Sequence, residues 1–194
     1  MMVTLLLDSS NTCLSVGVAD EKLIDFVSYE CWQSQSEKMV PEIDTLLKKH
    51  GIKRSDIKDI VCAIGPGSYT GVRIALTIAK TISLALNIPV YPVSSLRILK
   101  SDDKPSICVI NARSERSYFG VYQGEEIIVG DCIKTNEEVL EYISSHPDYV
   151  LCGDARYLGK EKSDYNVCKQ MLSLIKVLDK QEDTLGLKPV YMKD

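Results

Sequence analysis

The order of predicted elements points to an α/β protein built from two tandem lobes of one plan, the second trimmed. Two observations carry this. Short apolar runs closed by polar turns alternate with segments of helical periodicity. The succession strand–strand–strand–helix–strand–helix then occurs in residues 1–100 and recurs in 104–180, across the polar joint Ser101-Asp102-Asp103-Lys104-Pro105, which sets a first lobe over 1–100 and a second, smaller one over 104–194. Residue identity between the halves is weak, so the element order carries the inference. The chain has 194 residues, 45% hydrophobic and 26% charged, enough for a sizeable core and unlike a disordered tail, a collagen or a coiled coil.

Residues 3–7 are wholly apolar and end at Asp8, the pattern of a buried strand. Ser9-Ser10-Asn11-Thr12 is a polar turn. Residues 14–19 and 23–29 read as two more strands, with Asp20-Glu21 as their hairpin. A helix over 36–50 follows from Met39, Val40, Ile43, Leu46 and Leu47 at helical spacing. Ser34-Gln35-Ser36-Glu37 fits a capping box in front of it, and Pro41 predicts a bend or a later start. Residues 60–64 form a fourth strand that runs into a glycine turn, a helix over 70–86 and a fifth strand over 89–93. The second half repeats this with strands over 107–110, 118–122 and 127–133, and a hairpin at Gln123-Gly124-Glu125. A helix over 136–145, with Val139, Leu140 and Ile143 on one side, leads to a strand over 149–152 and a last helix over 166–178. Three meandering strands followed by helix, strand and helix resemble the ribonuclease H-like unit. Two such units in tandem resemble the actin, Hsp70 and sugar-kinase group, a likeness of fold that carries no chemistry by itself.

The formal net charge is −4, from 23 basic and 27 acidic residues, which suits a protein that does not grip a phosphate backbone alone. Seven cysteines, an odd number without CxxC spacing, lie mostly inside apolar runs. They predict buried, reduced thiols of a cytoplasmic protein rather than a disulfide framework. The opening MMVTLLLDSS has no basic region before its short apolar run, and no stretch approaches the ~20 apolar residues of a membrane span. No membrane partner is expected.

The sharpest local feature is Gly65-Pro66-Gly67-Ser68-Tyr69-Thr70-Gly71-Val72-Arg73, after a buried strand and at the start of a helix. Free N–H groups and the helix dipole there favour an anion, with Asp8, Ser10, Gly65, Gly67 and Ser68 as the candidate binding set. The P-loop lysine is missing, and Thr70 stands where a dinucleotide fingerprint needs its third glycine. A tight strand-to-helix turn, with Ser68 or Thr70 as N-cap, fits equally. The helix behind it is apolar almost all round, interrupted by Arg73, Thr77, Lys80 and Thr81. Such a helix is covered on both sides, by the sheet and by a partner subunit or the chain's own second half. Asn111 stands at the second-half place matching Asp8, and Gly65 where a ribonuclease H-like nuclease needs an acid, so two-metal chemistry lacks its carboxylates. His50 and His146 are far apart without a metal-ligand spacing, and His50 suits a helix C-cap. The turn Arg113-Ser114-Glu115-Arg116 reads as a solvated hairpin or an acceptor of an acidic group. No catalytic residue, metal ligand or cofactor is expected.

Asp8-Ser9-Ser10, the stretch from Gly65 through Arg73 to Ile74, Pro92-Val93-Ser94-Ser95-Leu96 and Pro189-Val190-Tyr191-Met192 together resemble the TsaB (YeaZ) family over nearly the whole chain. The resemblance implies two actin-like lobes. It implies a non-catalytic subunit for TsaD, which transfers a threonylcarbamoyl group from its adenylate in forming N6-threonylcarbamoyladenosine at position 37 of tRNAs reading ANN codons. TsaE is then a further ATPase partner, the chain forms homodimers and TsaD heterodimers through its first lobe, and tRNA is met only through the complex. The metal-binding histidines of the catalytic relative are missing here. Gln35-Ser36 departs from the His-Ser or His-Thr of many relatives, and Asn111 from the commoner Asp. The interface is expected around Val40, Ile43, Thr70, Arg73, Thr77 and Lys80, with the helices over 36–50 and 70–86 packing as a four-helix layer. Thr77→Glu or Ala79→Arg is expected to block association without unfolding. The alternative is an actin-like ATP-binding enzyme or a metallopeptidase acting on its own.

Overall fold

A computed structural model describes residues 2–163 and 165–192. Positions 1, 164, 193 and 194, and with them the outer ends of the two expected lobes, lie outside the described residues. The first sheet contains β1 (Val3–Asp8), β2 (Cys13–Ala19), β3 (Leu23–Glu30), β4 (Ile57–Ala63) and β5 (Val90–Val93), in the order β3-β2-β1-β4-β5. The first three strands meander antiparallel, and β4 and β5 join in parallel after α1 (Gln35–Lys49) and α2 (Tyr69–Leu86). The second sheet contains β6 (Ser106–Arg113), β7 (Arg116–Gln123), β8 (Glu126–Thr135) and β9 (Val150–Cys152), in the order β8-β7-β6-β9. It repeats the first four strands of the plan and lacks the fifth. Helix α3 (Asn136–Ser145) precedes β9. Helix α4 (Val167–Leu174) follows it and passes into a 3-10 turn, Ile175–Val177.

Burial follows position in the sheet. Central β1 is buried on both faces, whereas edge strand β3 alternates. Met39, Leu46 and Leu47 of α1 and Ala75, Leu76 and Ala79 of α2 pack on one face of the first sheet, against Leu5, Leu7 and Ile60. Val139 of α3 packs on the outer face of the second, against Val109, Phe119 and Val121. Between the sheets lies a shared core. Leu6, Val61 and Ala63 meet Cys108, Ile110 and Tyr122 around Cys168, Met171 and Leu174 of α4. The approach of α4 to β2 is close: a Cβ on Gly17 would stand 2.9 Å from Cys168 Sγ.

Four local expectations need correction. Ser34 makes no side-chain cap; its carbonyl accepts from the N–H groups of Glu37 and Lys38, both at 3.1 Å, because Gln35 is drawn inward by bonds described below. Pro41 does not delay α1, which starts at Gln35 and runs through it to Lys49. Leu140 faces solvent, and Tyr142 joins Val139 and Ile143 against the sheet instead. Strand β6 continues past Asn111 to Arg113.

After α4 the chain turns back to the first sheet. Gln181 and Val90 exchange backbone bonds of 2.8 and 3.0 Å. Lys80 Nζ donates to the carbonyls of Leu185 (3.0 Å) and Leu187 (2.5 Å). Val190 N–H donates to Ile64 O at 2.7 Å, and the Tyr191 ring stacks on Tyr69 with centroids 5.0 Å apart. Residues 179–192, placed by the sequence in the second lobe, thus form a strap bonded to the first. All seven cysteines are free thiols, with Cys13 and Cys132 half-buried and the rest buried. Among the described residues no helix is long and apolar enough to cross a membrane.

Candidate functional site

The glycine turn is filled by its own chain. Ser68 is the N-cap of α2: its Oγ accepts from Gly71 N–H at 3.2 Å, and its carbonyl from Val72 N–H at 2.9 Å. Ser68 N–H donates to Ser10 O at 2.7 Å, and Ser9 Oγ donates to Gly71 O at 2.7 Å. A Cβ on Gly67 or Gly71 would overlap the carbonyl oxygens of Ser10 and Ser9. Those two glycines therefore serve close backbone approach of the β1–β2 turn. Gln35 Nε2 closes the other side of that turn, donating to Asn11 O (2.6 Å) and Cys13 O (3.1 Å). Gly65 (φ +107°) donates its N–H to Ser95 Oγ at 3.0 Å and abuts the Val190 carbonyl of the strap. The N–H groups of Gly65, Ser68 and Gly71, which an anion would need, already have partners within the chain.

The candidate binding set is divided between two clefts. Asp8 and Ser10 border a cleft of ≈ 730 Å³ that Lys100, Cys152 and Tyr165 also line. Gly67 and Ser68 border a separate cleft of ≈ 740 Å³ with Trp32, Asn111 and Arg113. Asn111 Oδ1 accepts from Arg113 N–H at 2.8 Å, inside a hairpin where Arg113, Ser114 and Glu115 all take positive φ. His50 Nε2 pairs with Asp25 at 2.8 Å besides capping α1, and this bond, with Lys49, holds the Asp25 carboxyl down to about 2. His146 stacks on Tyr142. Among the described residues no three His, Cys, Asp or Glu side chains converge as a metal ligand set.

Asp8 is buried, which pushes its carboxyl above the ordinary range against the bonds from Ser10, whose N–H donates at 2.8 Å. An acid whose folded pKa is raised disfavours its charged form in the fold, so stability rises as pH falls through that raised value. Asn keeps the acceptor for Ser10 and removes the charge. Asp8→Asn is therefore expected to melt at or a few degrees above the wild type at pH 7, the gap closing toward pH 4. A clearly lower melting temperature at pH 7 would show that the carboxylate holds something beyond its own turn.

The outer face of α1 and α2 has a different character. Val72, Ala75, Leu76 and Ala79 of α2 face the sheet, while Arg73, Thr77, Thr81, Leu84 and Ala85 are exposed. Ile74, Ile78, Ile82 and Leu86, spaced by four, lie half-buried against the first core. Between the two helices runs an open groove of ≈ 390 Å³, walled by Val40, Ile43, Leu47, Ile78, Ile82 and Leu86, with Asp44, Arg54 and Thr81 as its polar positions. The second sheet does not cover it; the strap covers one flank of α2, where Leu187 packs and Lys80 is bonded. Of the residues expected at the interface, Val40, Thr70, Arg73 and Thr77 are exposed, whereas Ile43 is a buried floor residue. Arg73 donates to Tyr69 Oη at 2.8 Å and lies over its ring. Ala79 is fully buried, so Ala79→Arg would disrupt the core and cannot probe the surface. The seam residues Ile78 and Ile82 are additions; their period of four along α2 was the available signal.

Two sheets of one topology about a shared helix, with the remaining helices outside, define the class: tandem ribonuclease H-like lobes of the actin-like kind. The family model described as "TsaD: tRNA N6-adenosine threonylcarbamoyltransferase" matches residues 29–186. The chain is 35% identical over 197 residues to the tRNA threonylcarbamoyladenosine biosynthesis protein TsaB of Bacillus subtilis, covering 96% of this chain and 78% of that one. It is 31% identical over 198 residues to the protein MG208 of Mycoplasma genitalium, covering 98% and 94%. The solved structure of YeaZ from Pseudomonas aeruginosa superposes with a TM-score of 0.81 at 23% identity, over 99% of this chain and all of that one. The chain belongs to the TsaB (YeaZ) family.

Proposed function

We propose that the chain is a non-catalytic scaffold subunit in the formation of N6-threonylcarbamoyladenosine at A37 of tRNA. It docks the TsaD transferase on the outer face of α1 and α2, and pairs with a second copy through the same face. TsaE joins this cytoplasmic assembly, and tRNA is held by the assembly rather than by this acidic chain alone. The carrying observation is the open apolar groove between α1 and α2. An apolar seam rimmed by few charges is the composition of an interface core. The names of the relatives support the pathway. The self-filled glycine turn supports the scaffold role over ATP-dependent catalysis.

Light scattering of the chain alone, and mixed with the TsaD of the same organism, tests the reading. Dimer mass alone and a 1:1 hetero-complex in the mixture are the expected results. Absence of a complex with TsaD, or micromolar binding of ATP and Mg²⁺ by the isolated chain in calorimetry, would favour the independent enzyme.

A further inference from the structure

The cleft that Asp8 borders carries a chemistry that the docking face does not use. Strands β6 and β9 run parallel, and Cys108 stands directly opposite Cys152 in their register. Neighbouring strands lie about 4.8 Å apart, within the range of about 4.4–6.8 Å between Cα atoms that a disulfide accepts. Both residues belong to the core between the sheets, where the Cys108 Sγ lies 3.9 Å from the Ser106 carbonyl oxygen. Both are buried, but only Cys152, 3% exposed, lines the ≈ 730 Å³ cleft. Lys100, buried as well, borders the same cleft, and its ammonium makes no hydrogen bond among the described residues.

The titratable groups facing Cys152 are Cys108 of β6, Lys100 after the 3-10 turn Arg97–Leu99, and Tyr165 before α4. Asp131 of β8 faces Cys108, and Asp8 and Asp102 border the cleft. The adjacent Cys108 thiol outweighs burial at Cys152 and, with the polar groups of Ser106 and Ser101 and the Lys100 charge, pulls its thiol down to about 7. Burial pushes Cys108 well up, and also raises Cys13 and Cys132, the two cysteines more open to solvent. A thiolate beside a cation is the reactive form of cysteine, and a neighbouring thiol resolves its oxidation product.

We propose that Cys152 and Cys108 form a peroxide-oxidisable dithiol in the wall of the interlobe cleft, with Cys152 as the attacking thiol and Cys108 as the resolving one. The Cys152 thiolate attacks one oxygen of hydrogen peroxide. The O–O bond breaks, and the departing hydroxide takes up the proton that Cys152 had released, leaving a sulfenic acid and water. The Cys108 sulfur then displaces the sulfenic hydroxyl, which leaves as a second water with the Cys108 proton. Two thiols lose two electrons, and one peroxide becomes two waters. The product ties β6 to β9 beneath α4, in the core both lobes share, and a thiol reductant reverses it.

The test is peroxide titration of the full chain, with thiols counted in denaturant and peptides mapped by mass spectrometry. The expected result is loss of two of the seven thiols, one Cys108–Cys152 cross-link, and a rate that rises with pH through about 7. Cys152→Ala should abolish the fast loss, and Cys108→Ala should leave a sulfenic acid at Cys152 that dimedone traps. Circular dichroism checks the folding of both variants; where one fails to fold, the wild-type peptide map decides. Seven persisting thiols, first oxidation at Cys13 or Cys132, or a cross-link elsewhere would overturn the proposal.

Discussion

Val40→Asp combined with Thr77→Glu is expected to abolish co-elution with TsaD and to leave the isolated chain folded. Val40 is 53% exposed at the groove and Thr77 is exposed on the adjoining face of α2, so neither change enters the core. Glu is also the better helix former of the Thr77 pair. In the complex both positions would be sealed from water, and a carboxylate buried there without a partner costs several kcal/mol. Even about 3 kcal/mol raises the dissociation constant more than a hundredfold. The same variant should turn the isolated dimer into a monomer, because one face serves both partners in the proposed arrangement. Light scattering reads both masses, and a thermal melt shifted by less than a few degrees confirms that the fold survives. A double variant that still forms the complex at wild-type affinity would move the docking site off α1 and α2.

The tandem plan was legible because it rests on periodicity, which each segment carries in its own residues: the wholly apolar 3–7, the helical stripe from Met39 to Leu47 and the hairpin at Gly124. The capping box was not, because the outcome depends on a distant competitor. Gln35 is pulled under the β1–β2 turn by Asn11 O and Cys13 O, and Ser34 is left to cap through its backbone. The strap was equally silent. Its bonds join groups about a hundred positions apart, such as Lys80 with Leu185 and Leu187, and they use backbone carbonyls that any residue supplies. That contact also ties Lys80, expected at the interface, to the chain itself. The apolar excess of α2 was legible as composition. Which part of it stays open was settled by where α1 and the strap lie.

The glycine turn was ambiguous for a further reason: a phosphate cradle and a backbone-packed turn ask for the same residues, and only the neighbour in space separates them. Gly71→Ala tests that neighbour and carries the largest expected effect on stability. Gly71 sits in the first turn of α2 with ordinary helical geometry, where alanine is favoured over glycine by up to about 1 kcal/mol. Local propensity thus predicts a gain. The added methyl would, however, overlap the carbonyl oxygen of Ser9, a backbone atom held in place by the Ser9 Oγ bond to Gly71 O and by the neighbouring bond from Ser68 N–H to Ser10 O. Backbone cannot step aside as a flexible side chain does, so the turn must lift off α2 or the helix start must shift. Overpacking of that kind costs about 3 kcal/mol or more and reverses the sign. In a chain of this size it lowers the melting temperature by about 6–12 °C. Thr70→Ala, one position earlier and exposed, is the control and should change stability by no more than about 0.5 kcal/mol. Thermal denaturation followed by circular dichroism separates the two. A Gly71→Ala variant as stable as Thr70→Ala would mean that the turn is not seated on the helix, and the space now closed by Ser9 and Ser10 would again be open to an anion.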